Sequence, residues 1–232
     1  AMAAAETEDA TYDNETGVMT ISMYEDFDVK ATGNVNVSAQ DVIYLGSESN
    51  TLIERADAGG DVRIKMDGNM LNGRSDNATV VSGANILLES GKGRIGASDK
   101  RLIVDVDNGS TLSGRSRDGI YIGEATGDVN VGSFYSKAVI DLLSPGGIYD
   151  NALDTITDIK GQDVTLTAEN SIGQEPADGD SSQVKKNKAL DIATINDDNS
   201  TFTVTSNTDG AWLYTDFGQP MRLTGADLNG DL

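Results

Sequence analysis

Residues 60–93, GDVRIKMDGNMLNGRSDNATVVSGANILLESGKG, lie over residues 138–171, AVIDLLSPGGIYDNALDTITDIKGQDVTLTAENS, at a constant offset of 78 without a gap. Val62 falls on Ile140, Ile64 on Leu142, Gly68 on Gly146, Met70 on Ile148, Val81 on Ile159, Gly83 on Gly161, Ile86 on Val164 and Leu88 on Leu166. The match continues with Ile95-Gly96 on Ile172-Gly173. After an insertion around 175–187 it resumes with Leu102 and Val104 on Leu190 and Ile192, and with Ser110-Thr111-Leu112 on Ser200-Thr201-Phe202. Nearer the N-terminus only half of the unit recurs, Ile43-Tyr44-Leu45-Gly46 falling on Ile120-Tyr121-Ile122-Gly123 at offset 77. The chain thus divides into an added remnant and leader (1–16) and one continuous body (17–232), made of a half unit 17–59, a unit 60–133 and a unit 138–225, with a protruding loop at 175–188. Few matched pairs are identical and most share only apolar character, as expected where packing alone holds each position.

Inside each unit the pattern is that of strands. Val35-Asn36-Val37, Asp61-Val62-Arg63-Ile64, Leu102-Ile103-Val104-Asp105-Val106, Val164-Thr165-Leu166-Thr167 and Phe202-Thr203-Val204-Thr205 alternate or run apolar and β-branched over four to six residues. Turn dipeptides bound them, among them Asp67-Gly68, Asn72-Gly73, Asn108-Gly109 and Asp118-Gly119. Such dipeptides also mark hairpins, so the long repeat decides the matter. A unit of many short strands with no intervening helix buries a thin core only by stacking each coil on the next, which predicts an all-β parallel β-helix, a β-solenoid built from repeats of about 78 residues. Coils of roughly 20 to 25 residues give about ten of them, in a rod on the order of 50 Å long.

Composition narrows the function. Among 232 residues there is no Cys and no His, which excludes Ser-His and Cys-His dyads, imidazole and thiolate zinc sites and dithiol redox chemistry. With 17 Lys+Arg against 38 Asp+Glu the formal charge is −21, which disfavours nucleic acid and anionic membrane surfaces as partners and attracts calcium non-specifically. No stretch approaches 18 consecutive apolar residues, so the chain is not expected to insert in a membrane.

GDVNVGS at 127–133 and KGQDVTLTAENSIGQ at 160–174 resemble the repeats of large bacterial filamentous adhesins, the filamentous-haemagglutinin-like and leukotoxin-type exoproteins. The likeness runs from about residue 28 to 225 and is sharpest in the combination of the Ile-Gly step, the following Leu-x-Ile/Val strand and the next Gly-Asp-Val. It implies a right-handed β-helix, two-partner or autotransporter-type secretion to the cell surface or beyond, and attachment to host cells, other bacteria or biofilm matrix as one part of a longer chain. It supplies no catalytic residues and no cofactor. The expected function is that of a stalk and display segment with a glycan or protein receptor. The alternatives are a polysaccharide-acting β-helix enzyme and a calcium-stabilised spacer without ligand.

The repeat alignment places Tyr44, Tyr121 and Trp212 at equivalent outward positions between aliphatic neighbours, with Tyr214 sharing the parity of Trp212, so the expected binding feature is an aromatic stripe along the rod. Covering of the strand surface by the same rings is the plainer reading. For an enzyme, the nearest carboxylate pairs are Asp105 with Asp107, Asp197 with Asp198 and Asp26 with Asp28, with Arg74, Arg115 and Arg117 beside Asp76 and Asp118. Turn caps and solvated ion pairs account for these more simply.

Overall fold

The structure is a computed structural model, and it describes residues 9–13, 18–22, 27–195, 200–215 and 223–228. It is a parallel β-solenoid of about 8 turns at roughly 23 residues per turn, the coil length expected from sequence in fewer coils than the ten expected. The stacked height is accordingly about 40 Å. Two parallel sheets face each other. In chain order the front sheet takes Phe27–Asp28, Ile43–Ser47, Val62–Met66, Ile86–Ser90, Thr111–Ser116, Val129–Ser136, Ile159–Gly161, Leu190–Thr194 and Leu213–Tyr214. The back sheet takes Asn34–Ala39, Thr51–Ala58, Val81–Gly83, Leu102–Val106, Ile120–Glu124, Val139–Ser144, Asp163–Ala168, Thr201–Ser206 and Leu223–Leu228. Successive coils stack in register, as Ile86, Leu88 and Ser90 do on Val62, Ile64 and Met66.

Period-2 alternation explains the core. In Val62–Met66 the buried Val62, Ile64 and Met66 point in, and Arg63 and Lys65 point out. The same inward positions recur as Ile86 and Leu88, Leu102 and Val104, Ile140 and Leu142, and Val164 and Leu166, each at most 1% exposed. Each such aliphatic contributes roughly 1.5–3 kcal/mol by leaving water. The core is one side chain deep between the sheets, which is why 38% hydrophobic residues suffice.

The repeat has an unforeseen geometry. The strand Val62–Met66 is in the front sheet and its counterpart Val139–Ser144 is in the back sheet. Likewise Val81–Gly83 is in the back and Ile159–Gly161 in the front. A shift of 78 residues therefore advances the chain by about three and a half turns and exchanges the two sheets. Irregularities are carried along. The bulge that slips the register between Val35 and Asn36, in the pairing of Asn34–Ala39 with Thr51–Ala58, recurs between Leu112 and Ser113 where Thr111–Ser116 pairs with Val129–Ser136.

Two segments depart from the parallel stack. Asp9–Asp13 and Val18–Ser22 form an antiparallel pair, so the span 17–59 includes an antiparallel strand, and among the described residues parallel pairing starts at Phe27–Asp28. Within 175–188, expected as a protruding loop, Ser182–Lys188 is a helix capped by the Ser181 hydroxyl, which accepts from the Val184 N–H, and none of its residues is buried. No helix among the described residues is long and apolar enough to cross a membrane.

Candidate functional site

On the outer face of the front sheet, register stacking turns scattered residues into columns. Gly46, Lys65, Glu89, Arg115, Tyr135 and Lys160 follow one another on successive strands. At the strand spacing, Lys65 and Lys160 are about 19 Å apart along the rod. Beside this column runs a second, Tyr44, Arg63, Leu87, Ser113 and Ser133.

A depression of about 330 Å³ lies among Lys65, Glu89, Arg115, Arg117, Tyr135 and Lys137. A second, of about 450 Å³, continues over Leu87, Ser113, Ser133 and Tyr135. The Arg115 guanidinium sits 5.7 Å from the centre of the Tyr135 ring, fixing a cation and an aromatic plane side by side. Arg63 approaches Glu89 at 3.6 Å and Arg117 approaches Asp118 at 3.6 Å. Among the described residues, Lys65, Arg115, Lys137 and Lys160 have no carboxylate within 4.0 Å. Lys30, Arg94, Lys100 and Lys185 also lack a described carboxylate within 4.0 Å, but they do not line these depressions; what marks this face, in a chain with 38 acidic residues against 17 basic ones, is the gathering of unmatched cations around one ring. Their chemistry suits a polymer that carries repeated anionic groups, with the Tyr135 ring as a stacking surface.

The expected aromatic stripe does not form, because the sheet exchange separates its members. Tyr44 is in the front sheet beside Arg63, at one border of the cationic face. Tyr121 is in the back sheet beside Asp141, whose carboxylate Arg101 binds at 2.7 Å. Trp212 and Tyr214 lie at the far end of the front sheet, about seven strands from Tyr44, by the 175–188 insertion. There the Lys186 ammonium stands 4.7 Å from the centre of the Tyr214 ring and donates to its hydroxyl at 3.0 Å. Tyr135, which the sequence reading passed over, is the ring that meets the cations. The signal for it was the outward parity of Lys65, Arg115 and Tyr135, usable only once the strands are in register.

The carboxylate pairs considered for an enzyme resolve locally. Arg74 binds Asp76 at 2.7 Å, and Asp105 accepts from the Thr126 hydroxyl. Asp26, Asp197 and Asp198 lie outside the described residues.

A different acidic group does converge. Asp150, Asp158 and Asp191 are all buried, and each offers a carboxylate oxygen within 4.8 Å of the others. Asp150 ends the strand Ile148–Asp150 and Asp158 precedes Ile159–Gly161; both strands lie along Val129–Ser136, so the two residues pinch the base of a surface excursion, 151–157. Asp191 comes from the neighbouring strand. Its N–H donates to Asp158 Oδ2 at 2.9 Å, and its carbonyl accepts from the Asp158 N–H at 2.9 Å. Burial pushes all three carboxyls up, aided by mutual repulsion; Asp191 rises to about 7 through burial first and then the charges of Asp150 and Asp154.

No family model, curated protein or solved structure matches this chain.

Proposed function

We propose that this chain is a rod segment of a bacterial surface adhesin, which displays the front-sheet face to acidic polysaccharide on a host cell, on another bacterium or in a biofilm matrix. The reading is supported by the likeness of GDVNVGS (127–133) and KGQDVTLTAENSIGQ (160–174) to adhesin repeats, and by a stacked architecture that provides reach. The observation that carries the choice of ligand is the set of unmatched cations Lys65, Arg115, Lys137 and Lys160 around Tyr135. The excess negative charge elsewhere keeps rods apart and, with screening beyond about 8 Å at physiological salt, leaves short-range contacts at this face intact.

The test is binding to immobilised heparin and alginate, with dextran as the neutral control, in 0.15 M NaCl. Wild type is expected to bind the acidic polymers and not dextran. Reversing Lys65→Glu, Arg115→Glu and Lys137→Glu together is expected to weaken binding at least about tenfold, a loss of about 1.4 kcal/mol or more. Tyr135→Ala is expected to weaken it and Tyr121→Ala, on the opposite sheet, to leave it unchanged. Absence of wild-type binding, or equal binding by the reversed variant, would refute the proposal. Release of sugars from either polymer would replace it with the enzyme reading.

A further inference from the structure

The excursion above Asp150 and Asp158 has a twin in the same chain, made with different chemistry. After Met70–Asn72 the chain leaves the back sheet and rejoins it at Val80, with Met70–Asn72 and the returning strand both paired to Thr51–Ala58. The two excursions share their turns. Asn72 Oδ1 accepts from the Arg74 N–H as Asp150 Oδ1 does from the Ala152 N–H, at 2.8 and 2.7 Å. Asp76 Oδ1 accepts from the Ala78 N–H as Asp154 Oδ1 does from the Ile156 N–H. At the base, the Val80 N–H donates to the Ile103 carbonyl at 2.8 Å as the Asp158 N–H does to that of Asp191 at 2.9 Å. Ala56 and Phe134 donate in turn to the carbonyls of Val80 and Asp158, both at 2.7 Å.

The fold therefore builds this device with Asn72, Val80 and Ile103, and needs no acid to do so. In the second copy the same three places hold Asp150, Asp158 and Asp191, and Ala152 stands where Arg74 pairs with Asp76 in the first. Every one of these differences makes the second site more negative: three carboxylates are added and one guanidinium is lost. Like charges on adjacent strands oppose pairing; backbone N–H groups of Ala152, Asp154 and Asp191 satisfy oxygens of Asp150 and Asp158, but no hydrogen bond accounts for a third carboxylate brought against them at Asp191 Oδ2. Lys160, two residues beyond Asp158, is exposed and makes no ion pair with the trio. Asp191 is 4% exposed, yet its Oδ2 has no hydrogen-bond partner.

From this juxtaposition we propose that Asp150, Asp158 and Asp191 bind a hard divalent cation, calcium, which locks the 151–157 excursion onto the rod. Oxygens within 4.8 Å of one another fit a shell with metal–oxygen distances of about 2.4 Å. An all-oxygen donor set lacking His and Cys excludes a preference for zinc or copper. Calcium tolerates irregular coordination where magnesium demands a regular octahedron and holds its waters, so calcium is the better match to three carboxylates fixed by strands. The proposal is independent of glycan binding on the cationic face.

The experiment uses the full chain stripped with EDTA and titrated calorimetrically with CaCl2 or MgCl2 in 0.15 M NaCl. Wild type is expected to show one saturable calcium site with Kd on the order of 10⁻⁵–10⁻³ M, and weaker magnesium binding. Calcium near a hundredfold above Kd should raise Tm by about 5 °C. The double variant Asp158→Val, Asp191→Ile installs the residues of the twin site. It should fold in EDTA with a Tm at or above that of wild type and lose both the saturable site and the calcium shift. Asp158→Asn, which keeps the side-chain shape, should lower calcium affinity at least tenfold. If wild type shows only the shallow binding common to any acidic surface, or if Asp158→Asn titrates like wild type, there is no such site and the trio is held by shared protons.

Discussion

Gly173→Ala is expected to cost roughly 3–5 kcal/mol and Gly109→Ala only about 1 kcal/mol, although both glycines have positive φ. Gly173 has φ +74°, and an added Cβ would stand 2.0 Å from the Trp212 carbonyl oxygen and 3.2 Å from the Leu190 nitrogen. Those two atoms are hydrogen-bonded to each other at 3.0 Å, so the methyl group has to push the next coil away or break that bond. Gly109 has φ +81° with nothing within 4 Å of the same methyl group, so it carries only the conformational cost. Gly96 repeats the arrangement, with φ +65° and the Tyr121 carbonyl oxygen 2.1 Å from the would-be Cβ, and Gly96→Ala should match Gly173→Ala. Since total stability is of order 5–15 kcal/mol, either change removes a large part of it. Urea unfolding of the three variants measures this. Equal losses at Gly109 and Gly173 would show that steric closeness between coils is not what the glycine serves.

The same contrast explains why the Ile-Gly step belongs to the sharpest combination of motifs in the sequence. Ile95 bridges Met70 below and Ile120 above, and Ile172 bridges Ile148 and Ala211, so an inward aliphatic and a glycine that admits the adjacent backbone form one corner. Core positions were legible for a similar reason, because alternation in Val62–Met66 or Phe202–Thr203–Val204 reports inside and outside whatever the neighbours are. Which sheet a strand joins was not legible. Both sheets impose the same alternation, so an offset of three and a half turns looks in sequence like a whole number of turns, and Tyr44 and Tyr121 were placed on one line when they face opposite ways. The cationic column was hidden by uneven coil lengths. From Lys65 to Glu89, Arg115, Tyr135 and Lys160 the spacings are 24, 26, 20 and 25 residues, and no fixed period finds them. For the carboxylate trio the signal was present in the alignment, where Asn72 and Val80 face Asp150 and Asp158. Asp191 lies beyond the 175–188 insertion, and only strand register brings it to them.

The second large effect is a pH dependence centred on Glu124. It stands in register with Val104, on the inner face of the back sheet, in a column whose earlier members are Ala56 and Val81. Its residue is 6% exposed; Oε1 accepts from the Val106 N–H at 3.1 Å, and Oε2 is buried with no partner. Burial is the main cause that raises its pKa to about 8 from an ordinary 4.5; the Val106 N–H opposes the rise and the nearby Asp105 charge adds to it. In the folded state the carboxyl thus keeps its proton at pH values where the unfolded chain has lost it. Below about 4.5 both states are protonated and Glu124 costs nothing; as pH rises towards 8 the unfolded state gains its ionised form and the folded state does not, so stability falls. The loss attributable to this group is roughly 3–5 kcal/mol between pH 4.5 and 8.5. Glu124→Gln retains an acceptor for Val106 and removes the titration. At pH 4.5 the variant should lie within about 1–2 kcal/mol of wild type, the difference reflecting an amide in place of a carboxylic acid. At pH 8.5 it should be the more stable by several kcal/mol. Other raised carboxyls, Asp158 and Asp191 among them, contribute the same sign of slope to both proteins and cancel in the difference. Denaturant unfolding followed by circular dichroism across this range reads that difference directly. Parallel stability curves for the two proteins would mean that Glu124 ionises in place, with water reaching Oε2.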